Sequence, residues 1–247
     1  MQDVCLIIPC YNEEHRLPLA ELLAFLDGRQ DTTLCLVDDG SSDGTLNVLH
    51  ELRRQRPERV IVQGVSPNGG KAAAVRAGVR YVASTGGWGI IGYWDADLST
   101  PLTEVDRLLA ALTSTPQCLL VMGSRIKLLG ARIERRVVRH VLGRIFAACA
   151  SGILAFPVYD SQCGAKLFRR EMVDVFFGEP FLTRWLFDLE MLARLRNHVG
   201  AAAMDAAREV PLSAWHDVGG SKLRLREMIN VPLELLRIRK RYNLVPR

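Results

Sequence analysis

Two acids one residue apart, Asp95 and Asp97, come directly after the short apolar run Ile90–Trp94. This pattern predicts a buried strand that delivers two carboxylates to its C-terminal end, the edge of an open α/β sheet where ligands bind. Two carboxylates this close repel unless a cation lies between them, and Mg²⁺ or Mn²⁺ takes oxygen ligands and bridges phosphates. The pair therefore indicates chemistry on a phosphorylated substrate, although a surface turn after a strand gives the same tripeptide.

Polar clusters follow four other apolar runs, each at the point where a predicted strand ends. They are Tyr11-Asn12-Glu13 and residues 38–42, 68–71 and 123–125. Because the C-terminal ends of parallel strands meet at one edge of a sheet, these clusters are expected to converge with the two acids on one crevice. Five clusters after five strands indicate a binding site rather than scattered turns.

The first half of the chain alternates between strand-like and helix-like segments. Strands are predicted over residues 4–8, 34–37, 60–64, 90–94 and 119–123, and helices over residues 17–27, 45–54, 71–83 and 103–113. This repetition is typical of a doubly wound, mostly parallel sheet with helices on both faces. The chain has 247 residues, 49% of them apolar, which is enough for one large core, so a single α/β domain is expected.

The second half is more basic and more helical. Residues 132–155 place apolar side chains at helical spacing with arginines mainly on the other side, which predicts an amphipathic helix. The further predicted elements are a loop and strand over 160–168, a helix over 183–197, a strand near Glu209-Val210 and a last basic amphipathic helix after Lys222.

The net charge of +5 is distributed unevenly. Residues 125–144 hold seven Lys or Arg against one acid, and residues 222–247 hold eight against two. An anionic partner at one place fits this pattern better than a nucleic acid, for which the chain shows no binding motif. Basic amphipathic helices also suit an anionic membrane surface, although packing of their apolar stripes on the sheet explains the same spacing.

Cysteine usage and hydropathy indicate a cytoplasmic protein. The six cysteines lack metal-ligand spacing and fall mostly in apolar runs, so they are expected to be reduced core residues. No apolar stretch reaches the ~18 residues that span a bilayer and nothing resembles a signal peptide, so a soluble or peripheral membrane protein is expected.

Taken together, the motifs resemble those of the inverting family-2 glycosyltransferases of the GT-A fold. The first half resembles that family's nucleotide-sugar signature, and the second half looks like its dolichyl-phosphate β-glucosyltransferase branch, whose pattern the dolichyl-phosphate mannose synthases largely share. The segments that carry the resemblance are residues 8–14, 37–45, 95–97, 123–125, 160–168, 184–190 and 220–223. They extend over essentially the whole chain.

The resemblance implies a Rossmann-like GT-A fold with a mostly parallel central sheet, helices on both faces and C-terminal amphipathic helices. It implies one glycosyltransferase domain over residues 1–247. Within it, residues 1–125 would bind the nucleotide sugar and residues 126–221 the acceptor. Residues 222–247 would form a basic amphipathic helix that is a candidate for membrane contact.

The resemblance also implies roles for individual residues. Asp97 would be the principal ligand of a Mg²⁺ or Mn²⁺ ion, and Asp95 would bind ribose or metal-bound water, so both count as metal residues. Arg125 would add positive charge near the leaving group or the acceptor phosphate. The implied donor-binding residues are Pro9, Tyr11, Asn12, Glu13, Asp39, Gly40, Ser41, Lys71, Asp95, Ala96 and Asp97.

The acceptor decides whether a general base is needed. A lipid phosphate has a second pKa near ~6 and is mostly an anionic nucleophile at pH 7, so the site would need groups that bind and aim an anion. The candidates for that task are Arg139, Arg144, Gln162 and Lys222. A sugar hydroxyl would instead need a carboxylate base, for which Asp188 is the candidate and Asp160 a weaker one.

The resemblance therefore predicts inverting transfer of glucose from UDP-glucose to a polyprenyl phosphate on the cytosolic face of a membrane. Transfer from GDP-mannose, transfer to a sugar hydroxyl and the oligomeric state stay open. A sugar-nucleotide pyrophosphorylase or a dinucleotide dehydrogenase would need a glycine-rich loop after the first strand, where residues 9–13 read Pro-Cys-Tyr-Asn-Glu. The presence of both Asp95 and Asp97 argues against a non-catalytic binding protein.

Overall fold

The computed structural model describes residues 3–134, 137–218 and 225–244, and for residues 137–142, 145 and 225–229 the backbone alone. The strands in these residues are β1 (Val4–Cys10), β2 (Thr32–Asp38), β3 (Val60–Gly64), β4 (Ile90–Trp94), β5 (Leu120–Ser124), β6 (Arg132–Ile133), β7 (Ala165–Arg169), β8 (Ala207–Pro211) and β9 (Ala214–Trp215). The α-helices are α1 (Leu19–Gly28), α2 (Thr45–Gln55), α3 (Lys71–Thr85), α4 (Glu104–Thr113), α5 (Val137–Leu154), α6 (Val173–Phe177), α7 (Phe187–Val199), α8 (Ala203–Ala206) and α9 (Leu225–Arg241).

Seven strands form one sheet in the order β3-β2-β1-β4-β7-β5-β8. The pairs β1–β2, β1–β4, β2–β3 and β5–β8 are parallel. Strand β7 runs against the other six, because its pairs with β4 and β5 are both antiparallel. The mostly parallel sheet expected from strand–helix alternation is confirmed. The reversed β7 comes from the second half of the chain, where that alternation stops.

Helices cover both faces of the sheet. Successive residues of a strand point to opposite sides, and in β1 the residues on both sides are apolar and need to be buried. On one face Cys5 and Ile7 of β1 belong to a core with apolar side chains of α3, α6 and α7. On the other face Leu6 and Ile8 belong to a core with those of α1, α2 and α4. Strands buried on both sides need nearly continuous apolar sequence, which is why the central strands were visible in the sequence.

The ends of the strands place five loops at one edge of the sheet. Cys10 at the end of β1 pairs with Asp38 at the end of β2, and Asp38 pairs with Gly64 at the end of β3. Because β7 is antiparallel, its first residue Ala165 pairs with Trp94 at the end of β4. The loop that precedes β7 therefore reaches the same edge as the loops that follow the parallel strands.

The start of the first basic helix was predicted wrongly. Arg132 and Ile133 form β6, which pairs in parallel with β9, and α5 begins at Val137. The backbone of Arg132 donates to the carbonyl of Ser213 at 2.7 Å, a contact between distant residues that helical spacing cannot reveal. Within the described part of the chain, no helix combines the length and the apolar character needed to cross a membrane.

Candidate active site

The loops after β1 and β2 are bound to each other at the edge of the sheet. The backbone N–H of Asn12 donates to Ser41 Oγ at 3.0 Å, and Asn12 Oδ1 accepts the backbone N–H of Ser42 at 2.9 Å. The backbone N–H of Glu13 donates to Thr45 Oγ1 at 2.8 Å. Asn12 adopts a positive φ of 52°, which asparagine tolerates better than most residues. The structure thus brings the predicted donor residues Asn12, Glu13 and Ser41 together.

Two other predicted donor residues flank this junction. Pro9 is a residue of β1 and pairs with Val37 of β2. Tyr11 follows the strand and exposes its ring at the rim of the sheet edge. An exposed aromatic ring beside a polar cleft is a suitable surface for stacking against a planar base.

Asp39 holds the loop that leads into α3. Its carboxylate accepts the side-chain amide of Asn68 at 2.8 Å and the backbone N–H groups of Gly69 and Gly70 at 2.9 and 2.8 Å. Burial raises the pKa of Asp39, although the two glycine N–H groups favour its charged form. Gly40 fits beneath this loop with φ 68°, and a Cβ there would lie 3.0 Å from the Asn68 nitrogen. The hydrogen bonds described for the Asp39 carboxylate therefore hold the loop after β3 in its conformation.

Lys71, the first residue of α3, reaches into the cleft. Its Nζ lies 2.5 Å from a carboxylate oxygen of Asp95 and packs over the rings of Tyr93 and Phe187 at 5.9 and 5.8 Å. Burial would lower the pKa of Lys71, but the charges of Asp95 and Asp188 outweigh it and raise that pKa. The lysine is therefore a fixed positive charge between the loop after β3 and the acidic pair.

The acidic pair stands on a short segment fixed at both ends. The backbone N–H of Asp95 donates to the carbonyl of Gly164 at 3.0 Å, and Asp97 Oδ1 accepts the backbone N–H of Ser99 at 2.9 Å. Ala96 between them is buried. A Cβ on Gly164 would overlap the Asp95 carboxylate, so glycine at this position lets that side chain keep its present orientation.

The donor set fits a hard divalent cation. Among the described residues, no group of three or more His, Cys, Asp and Glu side chains is arranged to hold a metal, so the candidate ligands at this point are the two carboxylates of Asp95 and Asp97. Mg²⁺ is commonly bound in this way, by one or two carboxylates completed by water and substrate phosphates. Both carboxylates remain partly exposed at the cleft, as such a shared site requires.

Arg125 lies on the other side of the acidic pair and is clamped by Asp160. Its Nε and Nη2 donate to the two carboxylate oxygens at 2.7 Å each, and its guanidinium packs 5.4 Å from the centre of the Trp215 ring. Burial would lower the pKa of Arg125, but the charge of Asp160 outweighs it and raises that pKa. Asp160 is itself oriented, because its backbone N–H donates to Glu209 at 2.6 Å. Asp160 thus positions a cation and is poorly placed as a base.

Asp188, the predicted general base, is engaged in a buried network. Its Oδ1 accepts Lys166 Nζ at 2.6 Å and also the hydroxyl of Tyr93. Lys166 is fully buried and donates to the carbonyls of Ser161 and Cys163 at 2.9 and 2.7 Å. Burial, reinforced by the charge of Asp188, raises the pKa of Tyr93. The catalytic role of Asp188 stays a prediction, and its described contacts join β4, β7 and α7.

Sequence reasoning did not identify Lys166 or Tyr93 as part of the site. A lysine inside the apolar run of residues 163–168 was the available signal, because a charge buried in a strand needs an opposite charge nearby. What the sequence did not contain was the identity of that partner, which lies 22 residues away in α7.

The predicted acceptor residues have different outcomes. Gln162 lies in the loop before β7, and its Nε2, together with Ser161 Oγ and Ser124 Oγ, is buried without a hydrogen-bond partner in the described structure. Arg144 packs on the ring of Tyr159 at 3.8 Å and donates to the carbonyl of that residue at 3.3 Å. The side chain of Arg139, in α5, and the whole of Lys222 lie outside the described residues. Their roles stay predictions.

The comparisons with known proteins agree with this geometry. Residues 5–177 match glycosyl transferase family 2. The chain belongs to that family. As a family-2 glycosyltransferase it is similar to dolichyl-phosphate beta-glucosyltransferases. One from Trichomonas vaginalis is 32% identical, over 94% of this chain and 69% of the relative. Those of Saccharomyces cerevisiae and Mus musculus are 30% and 33% identical, over 96% and 98% of this chain and 74% and 76% of the relatives.

Solved structures show the same GT-A-like fold for this family-2 enzyme. Glucosyl-3-phosphoglycerate synthase from Mycobacterium tuberculosis, in complex with phosphoglyceric acid, superposes with a TM-score of 0.68 at 18% identity, over 100% of this chain and 81% of that chain. Mannosyl-3-phosphoglycerate synthase from Rubrobacter xylanophilus gives a TM-score of 0.66 at 18% identity, over 97% of this chain and 73% of that chain. At these identities the likeness establishes the fold.

Proposed function

We infer that this glycosyltransferase moves glucose from UDP-glucose to a polyprenyl phosphate with inversion at the anomeric carbon. The observation that carries the inference is the state of the two candidate bases. Asp188 is held by Lys166 and Asp160 is clamped on Arg125, so neither carboxylate is free to deprotonate a sugar hydroxyl. A phosphate acceptor needs no such base, because it is already anionic at neutral pH.

The donor is assigned to the side of the cleft formed by the loops after β1, β2 and β3. Asn12, Glu13, Ser41 and Asp39 are bound into those loops, and Lys71 projects from the end of the third one. The nucleotide would lie against them with its diphosphate toward Lys71. The curated relatives named dolichyl-phosphate beta-glucosyltransferase support glucose as the sugar.

Asp95 and Asp97 would hold a Mg²⁺ or Mn²⁺ ion, which when bound neutralises charge on the departing diphosphate. A related fold has been crystallised with Mn²⁺ and UDP, which supports this assignment. Lys71 would add a second positive charge beside the acidic pair. The protein's own contribution at this point is a set of fixed charges that need no reorganisation during the reaction.

In the transfer itself, a phosphate oxygen of the acceptor bonds to the anomeric carbon as the bond from that carbon to the diphosphate oxygen breaks. Attack from the side opposite the leaving group inverts the anomeric configuration, and UDP departs with the electron pair of the broken bond. Arg125, aimed by Asp160, and Gln162, whose Nε2 has no hydrogen-bond partner in the described structure, would bind and orient the attacking phosphate.

The acceptor is a membrane lipid, so we assign the enzyme to the cytosolic face of a membrane as a peripheral protein. Helix α9 supports this assignment. It buries Leu235 and Ile238 against the body of the enzyme and exposes Leu233 and Leu236, close in sequence to Arg237. An exposed apolar stripe beside basic residues is typical of helices that contact anionic leaflets.

The assay offers radiolabelled UDP-glucose, UDP-galactose and GDP-mannose separately, with a polyprenyl phosphate and Mn²⁺, and counts label in the organic phase. We expect label from UDP-glucose, and D97N should lower it by about 10²-fold or more, whereas the exposed control D205N should not. Label from GDP-mannose alone would overturn the donor, and label found only in a water-soluble glycan would overturn the acceptor.

A further inference from the structure

Two leucines face solvent side by side on the connection between β5 and β6. Leu128 is 52% exposed and Leu129 is fully exposed. Single exposed apolar residues are common and need no explanation, but adjacent leucines at the tip of one loop leave a contiguous apolar surface in water. Such a surface is a candidate for contact with another apolar phase.

The backbone presents these leucines on a defined turn. The N–H of Ala131 donates to the carbonyl of Leu128 at 3.1 Å, and Gly130 adopts φ 89°. This is the pattern of a type II turn, in which glycine takes the third position and the second position stands at the corner. Leu129 occupies that corner. The turn then runs into β6, where Arg132 is hydrogen-bonded to Ser213 at 2.7 Å.

The turn lies at the acceptor side of the cleft. Leu129 is four residues after Arg125, so the two α-carbons are at most about 14 Å apart. The partner of β6 is β9, whose Trp215 packs on the Arg125 guanidinium. The leucine pair is therefore connected through β6 and β9 to Arg125, the candidate phosphate-binding arginine.

The charge around the turn indicates which apolar phase it meets. Lys127 and Arg132 flank the leucines, and residues 125–144 hold seven Lys or Arg against one acid. An apolar tip with basic flanks is complementary to an anionic lipid leaflet, where leucines enter the acyl boundary and cations remain among the headgroups. A polyprenyl chain cannot leave the bilayer, so the bilayer has to approach the phosphate-binding wall.

We propose that Leu128 and Leu129 insert into an anionic lipid leaflet and hold the acceptor side of the cleft against the membrane. The inference rests on the proposed lipid acceptor and adds the surface that meets the lipid.

The test compares the double variant L128S/L129S with the control M204S. Met204 is 55% exposed and just precedes β8, whose first residue Ala207 pairs with Leu120 at the start of β5. It therefore lies at the opposite edge of the sheet from the turn. Binding is measured by flotation with vesicles of phosphatidylcholine and phosphatidylglycerol. We expect the double variant to lose about tenfold or more in vesicle partitioning and M204S to bind as the wild type does.

Activity on two acceptors separates docking from catalysis. The double variant should lose activity on polyprenyl phosphate embedded in those vesicles and keep it on a short, water-soluble prenyl phosphate. Equal losses on both acceptors would overturn the proposal, and so would unchanged vesicle binding, above all if L233S/L236S abolishes it. A wild type inactive on both acceptors would refute the proposed function, while flotation would still decide whether the turn binds lipid.

Discussion

At the scale of single residues, the buried ion pair of Lys166 and Asp188 requires both of its members to be present, because each neutralises the buried charge of the other. Lys166 is fully buried and Asp188 is nearly so, and the pair is completed by Tyr93 and two backbone carbonyls. A buried pair contributes little net stability when intact, but removal of one partner leaves an uncompensated charge in a medium of low polarity.

We therefore expect Lys166→Met to lower the free energy of unfolding by about 3–5 kcal/mol, measured by urea denaturation. The double variant with Asp188→Asn should regain at least half of that loss, because no unpaired charge remains. Arg80→Met, which breaks the exposed pair with Asp174, is the matched control and should change the free energy of unfolding by less than about 1 kcal/mol. A double variant as unstable as Lys166→Met would contradict this account.

Gly164 is a residue whose absent side chain determines where Asp95 can lie. A Cβ at this position would overlap the carboxylate of Asp95. Gly164→Ala should therefore displace Asp95 and reduce kcat by about tenfold or more, with a weaker response to Mn²⁺. Gly152→Ala is the control, because nothing lies within 4 Å of a Cβ there and alanine favours the helix. Full activity in Gly164→Ala would show that Asp95 tolerates another position.

At the scale of elements, the pair of Arg125 and Asp160 joins the end of β5 to the loop before β7. Two parallel hydrogen bonds to Asp160 fix the plane of the guanidinium. The pairing therefore depends on the forked shape of the arginine side chain as well as on its charge. This arrangement explains how two loops 35 residues apart in sequence can hold one cation in a single orientation.

Arg125→Lys keeps the charge but not the fork, so we expect KM for the polyprenyl phosphate to rise about tenfold while KM for UDP-glucose stays unchanged. The measurement is steady-state kinetics with each substrate varied in turn. Arg29→Lys is the matched control. Arg29 forms a similar ion pair with Asp31 just before β2, and its side chain is 14% exposed against 15% for Arg125. A rise confined to the donor KM would place Arg125 at the diphosphate instead.

At the scale of the whole molecule, we expect the loops after β1 to β5 and the loop before β7 to bind one ligand together. Binding of a ligand to the native state alone stabilises that state by mass action. In the proposed metal site Asp95 and Asp97 need substrate phosphates to complete the coordination, so UDP and metal are expected to stabilise the fold together.

Thermal unfolding tests this coupling. With UDP at about 100 times its Kd, Mn²⁺ and UDP together should raise the Tm by about 5–10 °C, and chelator should remove most of that shift. UDP without metal should have a much smaller effect. The variant D97N serves as the control, since its Tm should respond little to the combination. An equal shift from UDP alone would argue against a shared metal site.

The sequence by itself determined the parallel framework and most of the loop residues at the C-terminal edge of its strands. Strands buried on both faces need continuous apolar runs, and the helices that cover them have apolar residues at helical spacing. Both patterns can be read from short stretches of the sequence. The loops after those strands must then meet at one edge, and this alone predicts that Asn12, Asp39, Lys71 and the acidic pair lie together.

Only the tertiary structure decided how the second half completes the site. The reversed β7, the pairing of β6 with β9, the clamp of Asp160 on Arg125 and the partner of Lys166 all depend on contacts between residues far apart in sequence. Local sequence shows that a buried lysine requires an opposite charge, but not which carboxylate supplies it, because that choice is made by long-range packing.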